Sequence, residues 1–300
     1  MERGSPVSGH SAVVADRIDA ARTGRSNRYV VPAAFRESWR QPHAAGDVTV
    51  WVVPLGAHRQ LAAHTRVLGR DDWSAIARIR DVAARDHARA TRIVLRLALS
   101  HAVGGAVAPE AWTFDTTSFG KPRVAEAHPE VHFSVSHNET MTVVCVSRDA
   151  PVGIDIETLA GETSDEVMAA VCSGAPLRQL RRLSGPARLR AFKQLWTLKE
   201  AYVKLIGTGL AGDVASLEFE IKSEQQTAGH QAQYRRGEAS LLSWLTEAPG
   251  GLSQVSIAIG AAPCGRRAGE LVCIAVGTDD DTNQRSPQPG TACGARLVLS

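Results

Sequence analysis

Residues 186–206 carry apolar side chains at helical spacing and run into Gly207-Thr208-Gly209, a sequence that stops a helix. Any fold of this chain must therefore bury one face of a long helix. Ala191, Leu195, Leu198, Tyr202 and Leu205 form the expected core stripe. Glu200 and Lys204 fall on the opposite side, with Lys193 close by and Trp196 to one flank. As an exposed pair four residues apart, Glu200 and Lys204 would contribute only about 0.2–0.5 kcal/mol. A solvated face rarely spends a tryptophan, so this face is expected to meet more than water.

A second acidic element precedes it, Val152-Gly153-Ile154-Asp155-Ile156-Glu157. In a strand, Val152, Ile154 and Ile156 share one face, and Gly153, Asp155 and Glu157 the other. Two carboxylates roughly 6–7 Å apart at their alpha carbons repel unless a cation or donors lie between them. Alone, the pair fits a solvated acidic edge as well as a cation site. Three carboxylates with lysines nearby suit magnesium-dependent chemistry on a phosphate ester.

The choice of cations supports this. Of 34 basic residues only Lys121, Lys193, Lys199, Lys204 and Lys222 are lysine. Three of them lie in the 192–204 segment, where a flexible point charge differs from a planar guanidinium. The net charge of +3 is too small to argue for nucleic acid, but it allows a basic pocket for an anion. No apolar run is long enough to span a membrane, and the first residues lack a secretory h-region, so a cytoplasmic protein is expected. The five cysteines include no Cys-x-x-Cys pair and read as free buried thiols.

The expected organisation is an irregular extension at 1–44, one half at 45–150, a second at 151–278 and a loose tail at 279–300. Helical periodicity covers 72–103 and 164–183. Strands are expected at 48–53, 131–135, 141–147, 152–157, 214–221, 230–235, 253–260 and 271–277, the pair 131–147 as a hairpin. The order strand, long helix, strands occurs before residue 150 and again after it. Two loop residues complete the candidates: His137 directly after a strand, and Lys121 in the turn Gly120-Lys121-Pro122.

Phe119-Gly120-Lys121-Pro122, Phe133-Ser134-Val135-Ser136-His137, Val152 to Glu157, and Trp196-Thr197-Leu198-Lys199-Glu200-Ala201-Tyr202-Val203-Lys204 stand in this order. Together they resemble the 4'-phosphopantetheinyl transferases of the Sfp (surfactin) type over roughly 48–277. The resemblance implies an α+β fold, a pseudo-dimer of two similar halves with the active site between them. It implies transfer of phosphopantetheine from coenzyme A to a serine of an apo carrier protein, releasing adenosine 3',5'-bisphosphate.

Asp155, Glu157 and Glu200 would then be magnesium ligands, and Glu200 would also accept the serine proton. Lys204 would stabilise the departing phosphate. Ser136 and His137 would meet the coenzyme's phosphates, and Lys121 with Pro122 the nucleotide 3'-phosphate region. Lys199, Arg92 and Arg96 are further candidate phosphate contacts. The implied partner is an acyl or peptidyl carrier domain of polyketide, nonribosomal peptide or related synthesis, met by a monomer. Cys172-Ser173-Gly174-Ala175-Pro176-Leu177 departs from the Phe-Ser-x-x-Glu stretch of many relatives. The alternatives are a degenerate protein that binds coenzyme A or a carrier without turnover, and a magnesium-dependent phosphohydrolase.

Overall fold

The alternation of strands and helices becomes an α+β fold of two five-stranded sheets. The computed structural model describes residues 47–61, 64–209, 213–225, 231–248, 251–261, 270–275 and 296–298. The expected 1–44 extension lies outside them, as does the 279–300 tail apart from 296–298.

Strand β1 (Val48–Pro54) leads through a short turn into α1 (His58–Leu61), then α2 (Arg70–Ala77) and α3 (Val82–Ala102). A ribbon of β2 (Phe114–Thr116) and β3 (Pro122–Val124) precedes the hairpin β4 (His132–His137) and β5 (Met141–Ser147). Then come β6 (Val152–Thr158) and three helices: α4 (Asp165–Val171), α5 (Gly174–Arg182) and α6 (Gly185–Ile206). The chain continues as β7 (Glu220–Gln225), β8 (Gln231–Arg236), β9 (Ala239–Ala248), β10 (Gly251–Ile259), β11 (Glu270–Ala275) and β12 (Arg296–Val298).

The first sheet runs β12-β11-β1-β5-β4, the second β6-β10-β9-β8-β7. Among the described residues only the β1–β11 pairing is parallel. Trp51, Val53, Phe133, Val144 and Val146 turn one face of the first sheet to Ile93, Val94 and Leu97 of α3. Val50, Val143 and Cys145 on its other face join Ile154, Ile156, Leu242, Trp244, Val255 and Ile257 of the second sheet. The outer face of the second sheet is covered by Leu198, Ala201 and Leu205 of α6. The order of layers is thus α3, sheet, sheet, α6, with one long helix for each sheet.

Several boundaries differ from expectation. The 72–103 region is two helices, because Asp81 caps α3 by accepting from the Ala84 amide at 2.7 Å. Arg85 also folds back on the Ile79 carbonyl. The 164–183 region likewise divides into α4 and α5. Residues 214–216 form a 3-10 turn rather than the start of a strand. Strand β9 was not anticipated; its signal is the two-residue turn at Gly237-Glu238, where Gly237 has φ 57°. Strand β11, expected in the second half, pairs with β1 of the first sheet. Residues 296–298 of the expected loose tail pair with β11 as β12.

Among the described residues, Cys145 and Cys172 are free and buried and Cys273 is buried, while Cys264 and Cys293 lie outside them. No helix among the described residues is long and apolar enough to cross a membrane.

Candidate active site

Helix α6 is set by its ends. Pro186 stands in its first turn, and Gly207 closes it in the left-handed conformation, φ 73°. Its middle lies directly on β6. A Cβ on Gly153 would overlap the Ala201 carbonyl oxygen and the Leu205 amide nitrogen. Only glycine permits this approach, and the approach brings the α6 side chains down to Asp155 and Glu157.

The helix is buried on two sides rather than along one stripe. Leu198, Ala201 and Leu205 face β9 and β10. Ala191, Leu195 and Trp196 pack on the cluster of Met168, Val171, Cys172, Leu180 and Phe192. The surface holding Lys193, Trp196, Glu200 and Lys204 turns toward β6 and the end of β4.

There the polar groups sort themselves. Lys204 Nζ donates to Asp155 Oδ1 at 2.7 Å and to Ser136 Oγ at 2.9 Å, and Ser136 donates to Asp155 Oδ1 at 2.8 Å. Glu157 accepts from Lys193 Nζ at 2.7 Å and Trp196 Nε1 at 3.0 Å, one on each oxygen. Asp155 Oδ2 and Glu200 Oε1 are buried and have no hydrogen-bond partner among the described residues. Burial pushes the Asp155 carboxyl above its ordinary value, against the pull of Lys204 and Ser136. Burial also raises Glu200, and the nearby Asp155 raises it further.

Beneath the carboxylates lies a buried polar ladder. Ser256 pairs with Asp155 across the sheet, and Gln254 with Glu157. Thr197 Oγ1 lies 2.7 Å from Ser256 Oγ, which lies 2.8 Å from Ser243 Oγ, and Gln254 Nε2 donates to Ser243 Oγ at 2.8 Å. Small polar residues on the covered face of an amphipathic strand carry no signal in periodicity. The ladder is legible only once α6 is seated.

Two buried, unpartnered carboxylate oxygens are costly unless a cation meets them. That donor set fits magnesium, which takes one or two carboxylates and completes its shell with water and substrate phosphate. Among the described residues no trio of His, Cys, Asp and Glu is arranged to hold a metal ion. Within the expected set of Asp155, Glu157 and Glu200, the unpartnered oxygens belong to Asp155 and Glu200, while both oxygens of Glu157 accept from Lys193 and Trp196.

The other expected residues divide. Ser136 joins the cluster, and His137 stands exposed at the end of the same strand. Lys199 does not join: it is 1% exposed, and Nζ donates to the carbonyls of Val171, Val214 and Ala215. All three ammonium protons are spent on backbone, so it is a strut between α6, α4 and the 214–216 turn, not a phosphate contact. Lys121 Nζ donates to the Val152 and Leu205 carbonyls at 3.2 and 3.1 Å, tying the start of β6 to the end of α6. Pro122 begins β3 and is exposed. Arg92 is half-buried, bonded to the Ala88 carbonyl and 3.4 Å from Asp72 Oδ1. Arg96 is buried and held by Asp72 and the Pro109 and Trp112 carbonyls, which leaves it structural.

Ionised Glu200 should cost stability. Its carboxyl is raised in the folded state, so its contribution is fully present below the unfolded carboxylate range and is lost as pH rises through the folded value. Glu200→Gln should therefore melt higher than the parent at neutral pH in metal-free buffer, and the gain should vanish near about pH 4. Melting curves at both pH values check this; an unchanged or lower neutral-pH midpoint would show Glu200 to be compensated.

Comparison with known proteins covers the stretch that holds β6 and α6. Residues 151–259 match the family model for the 4'-phosphopantetheinyl transferase superfamily. A 4'-phosphopantetheinyl transferase HetI of Nostoc sp. is 31% identical over 170 residues, 55% of this chain and 70% of its own length. An L-aminoadipate-semialdehyde dehydrogenase-phosphopantetheinyl transferase of Eremothecium gossypii is 37% identical over 53% of this chain and 58% of its own. The 4'-phosphopantetheinyl transferase Sfp of Bacillus subtilis is 29% identical over 38% and 50%. The chain spans a little over half the length of the first two curated relatives, 58% and 57%. From the family match, the extent of the alignment to HetI and the site built on β6 and α6, the chain belongs to the 4'-phosphopantetheinyl transferase superfamily.

Proposed function

We propose that the protein transfers 4'-phosphopantetheine from coenzyme A to a serine of an apo carrier protein, with release of adenosine 3',5'-bisphosphate. The observation that carries this reading is Lys204 bound to Asp155 and Ser136 beside two free buried carboxylate oxygens. A phosphoanhydride needs cationic charge on its oxygens and a base for the incoming hydroxyl, and these residues supply both.

In the reaction the serine oxygen forms a bond to the phosphorus that carries pantetheine. The bond from that phosphorus to the bridging oxygen breaks, and the pair leaves with the adenosine bisphosphate. Glu200 takes the serine proton; its raised carboxyl makes it a better base than an exposed one. Lys204 lies against the departing charge, held in place by Asp155 and Ser136. Asp155 Oδ2 and Glu200 Oε1 would hold a magnesium ion, with Glu157 beside them. When bound, it would neutralise charge on the pyrophosphate. His137 would meet a coenzyme phosphate at the rim of the site. Lys121 keeps this role only through the proton that the Val152 and Leu205 carbonyls leave unused.

The Asp-x-Glu form of β6 favours the broad Sfp type, serving polyketide or nonribosomal peptide carriers. The reading further takes the protein as a cytoplasmic monomer. Purified protein, coenzyme A and an apo carrier domain should give a carrier heavier by one phosphopantetheine in magnesium and unchanged in chelator. Coenzyme A bound without any gain in carrier mass would instead identify a non-catalytic binding protein. Free phosphopantetheine in place of modified carrier would identify a hydrolase.

A further inference from the structure

The hairpin that carries Ser136 and His137 is gripped from its other side by histidines that the reaction does not use. Along β4, Phe133 and Val135 face the α3 core, and alternation puts His137 on that side and Ser136 on the carboxylate side. The His87 ring of α3 lies against His137, with centroids 4.4 Å apart and planes inclined by 48°. His87 Nε2 is 3.1 Å from Thr142 Oγ1. Thr142 is fully buried and is the residue directly across the hairpin from His137. Thr91, one helical turn after His87, brings its hydroxyl to 3.4 Å from the same Thr142 oxygen. Behind them His58 of α1, 5% exposed, meets the His87 ring edge-on at 4.7 Å.

This is a built arrangement rather than a surface coincidence. Side chains of two helices converge on one threonine, and the threonine is paired with the exposed histidine. Burial and the two neighbouring histidines hold His58 down at about 4, and burial with His137 lowers His87. Both inner rings therefore stay neutral at neutral pH. The His87 ring packed against His137 restricts the orientation of the His137 ring.

We propose that His87 is a positioning residue: braced by Thr142 and His58, it holds the His137 ring at the rim of the site so that an imidazole nitrogen meets a phosphate of coenzyme A. The proposal rests on the transferase reading and on His137 as a phosphate contact. It predicts that His87 acts through His137 and on substrate binding rather than on the chemical step.

The test is a double-mutant cycle of His87→Ala and His137→Ala, with His87→Phe as the variant that keeps a ring. Initial rates across coenzyme A concentrations give KM and kcat, and melting curves monitor folding. His87→Ala should raise KM about fivefold or more, within the range of coupled neighbours, with kcat within about twofold of the parent. The double variant should be no worse than His137→Ala alone, and His87→Phe should recover much of the lost affinity. Additive losses, or an unchanged KM in His87→Ala, would overturn the positioning role and leave the phosphate reading of His137 standing. An unchanged KM in His137→Ala would overturn both. Should His87→Ala fail to fold, the same cycle is run with His87→Gln, which keeps a polar group and lacks the ring, against His87→Phe.

Discussion

Lys204→Ala should slow transfer to a carrier protein by about 10²–10³-fold, the scale of a lost transition-state contact. Two losses combine. The departing phosphate loses its cation, and Asp155 loses the donor that favours its ionised form. With desolvation unopposed, the Asp155 carboxyl moves further up. The proposed reaction needs that group as a carboxylate, so the acid limb of the pH–rate profile should shift toward higher pH. Lys204→Arg keeps the charge but carries a planar group into a space shared with Ser136 Oγ and Asp155 Oδ1. It should lose at least about tenfold. Turnover at saturating coenzyme A, measured across pH with a melting curve, checks both. Parental turnover in the Arg variant, with an unmoved acid limb in the Ala variant, would remove Lys204 from the mechanism.

Gly153→Ala should be the most damaging single methyl in the second sheet. The added Cβ overlaps backbone atoms of Ala201 and Leu205, which cannot rotate away as a side chain would. Inserting a methylene into a packed core costs about 1–3 kcal/mol, and a clash with helix backbone belongs at the upper end or beyond. The helix must lift from β6, and Glu200 and Lys204 lift with it, so activity should fall together with the melting temperature. Ala201→Gly should not rescue the variant, because the obstructing atom is a carbonyl oxygen. A Gly153→Ala protein with parental melting temperature and turnover would show that α6 is not held at this distance.

Much of the site was written locally. The alternation Val152, Ile154, Ile156 against Gly153, Asp155, Glu157 is a property of any half-covered strand, and the structure buries the apolar set as that pattern requires. The ends of α6 follow from Pro186 and Gly207, whose backbone preferences act without distant partners. Placing Lys193, Trp196, Glu200 and Lys204 on one surface needs only helical spacing. None of this depends on what the surface meets.

What the surface meets was a tertiary matter. Spacing alone pairs Glu200 with Lys204, yet Lys204 turns to Asp155 and Ser136, because β6 and β4 bring better acceptors than a neighbour on the same helix. Lys199 stands one residue from Glu200 and has the same charge as Lys204. It ends among three carbonyls because its direction on the helix points into α4 and the 214–216 turn. The break at 78–81 depended on Asp81 and Arg85 finding backbone partners, and the return of β11 to β1 on a pairing between opposite ends of the described chain. The sequence by itself determined the two elements, their faces and the residue types that each face offers, since periodicity and end signals are local. Only the tertiary structure decided which cation serves which carboxylate and which carboxylate oxygens stay free. Those outcomes are competitions between hydrogen-bond partners far apart in the chain, and no local pattern records the loser.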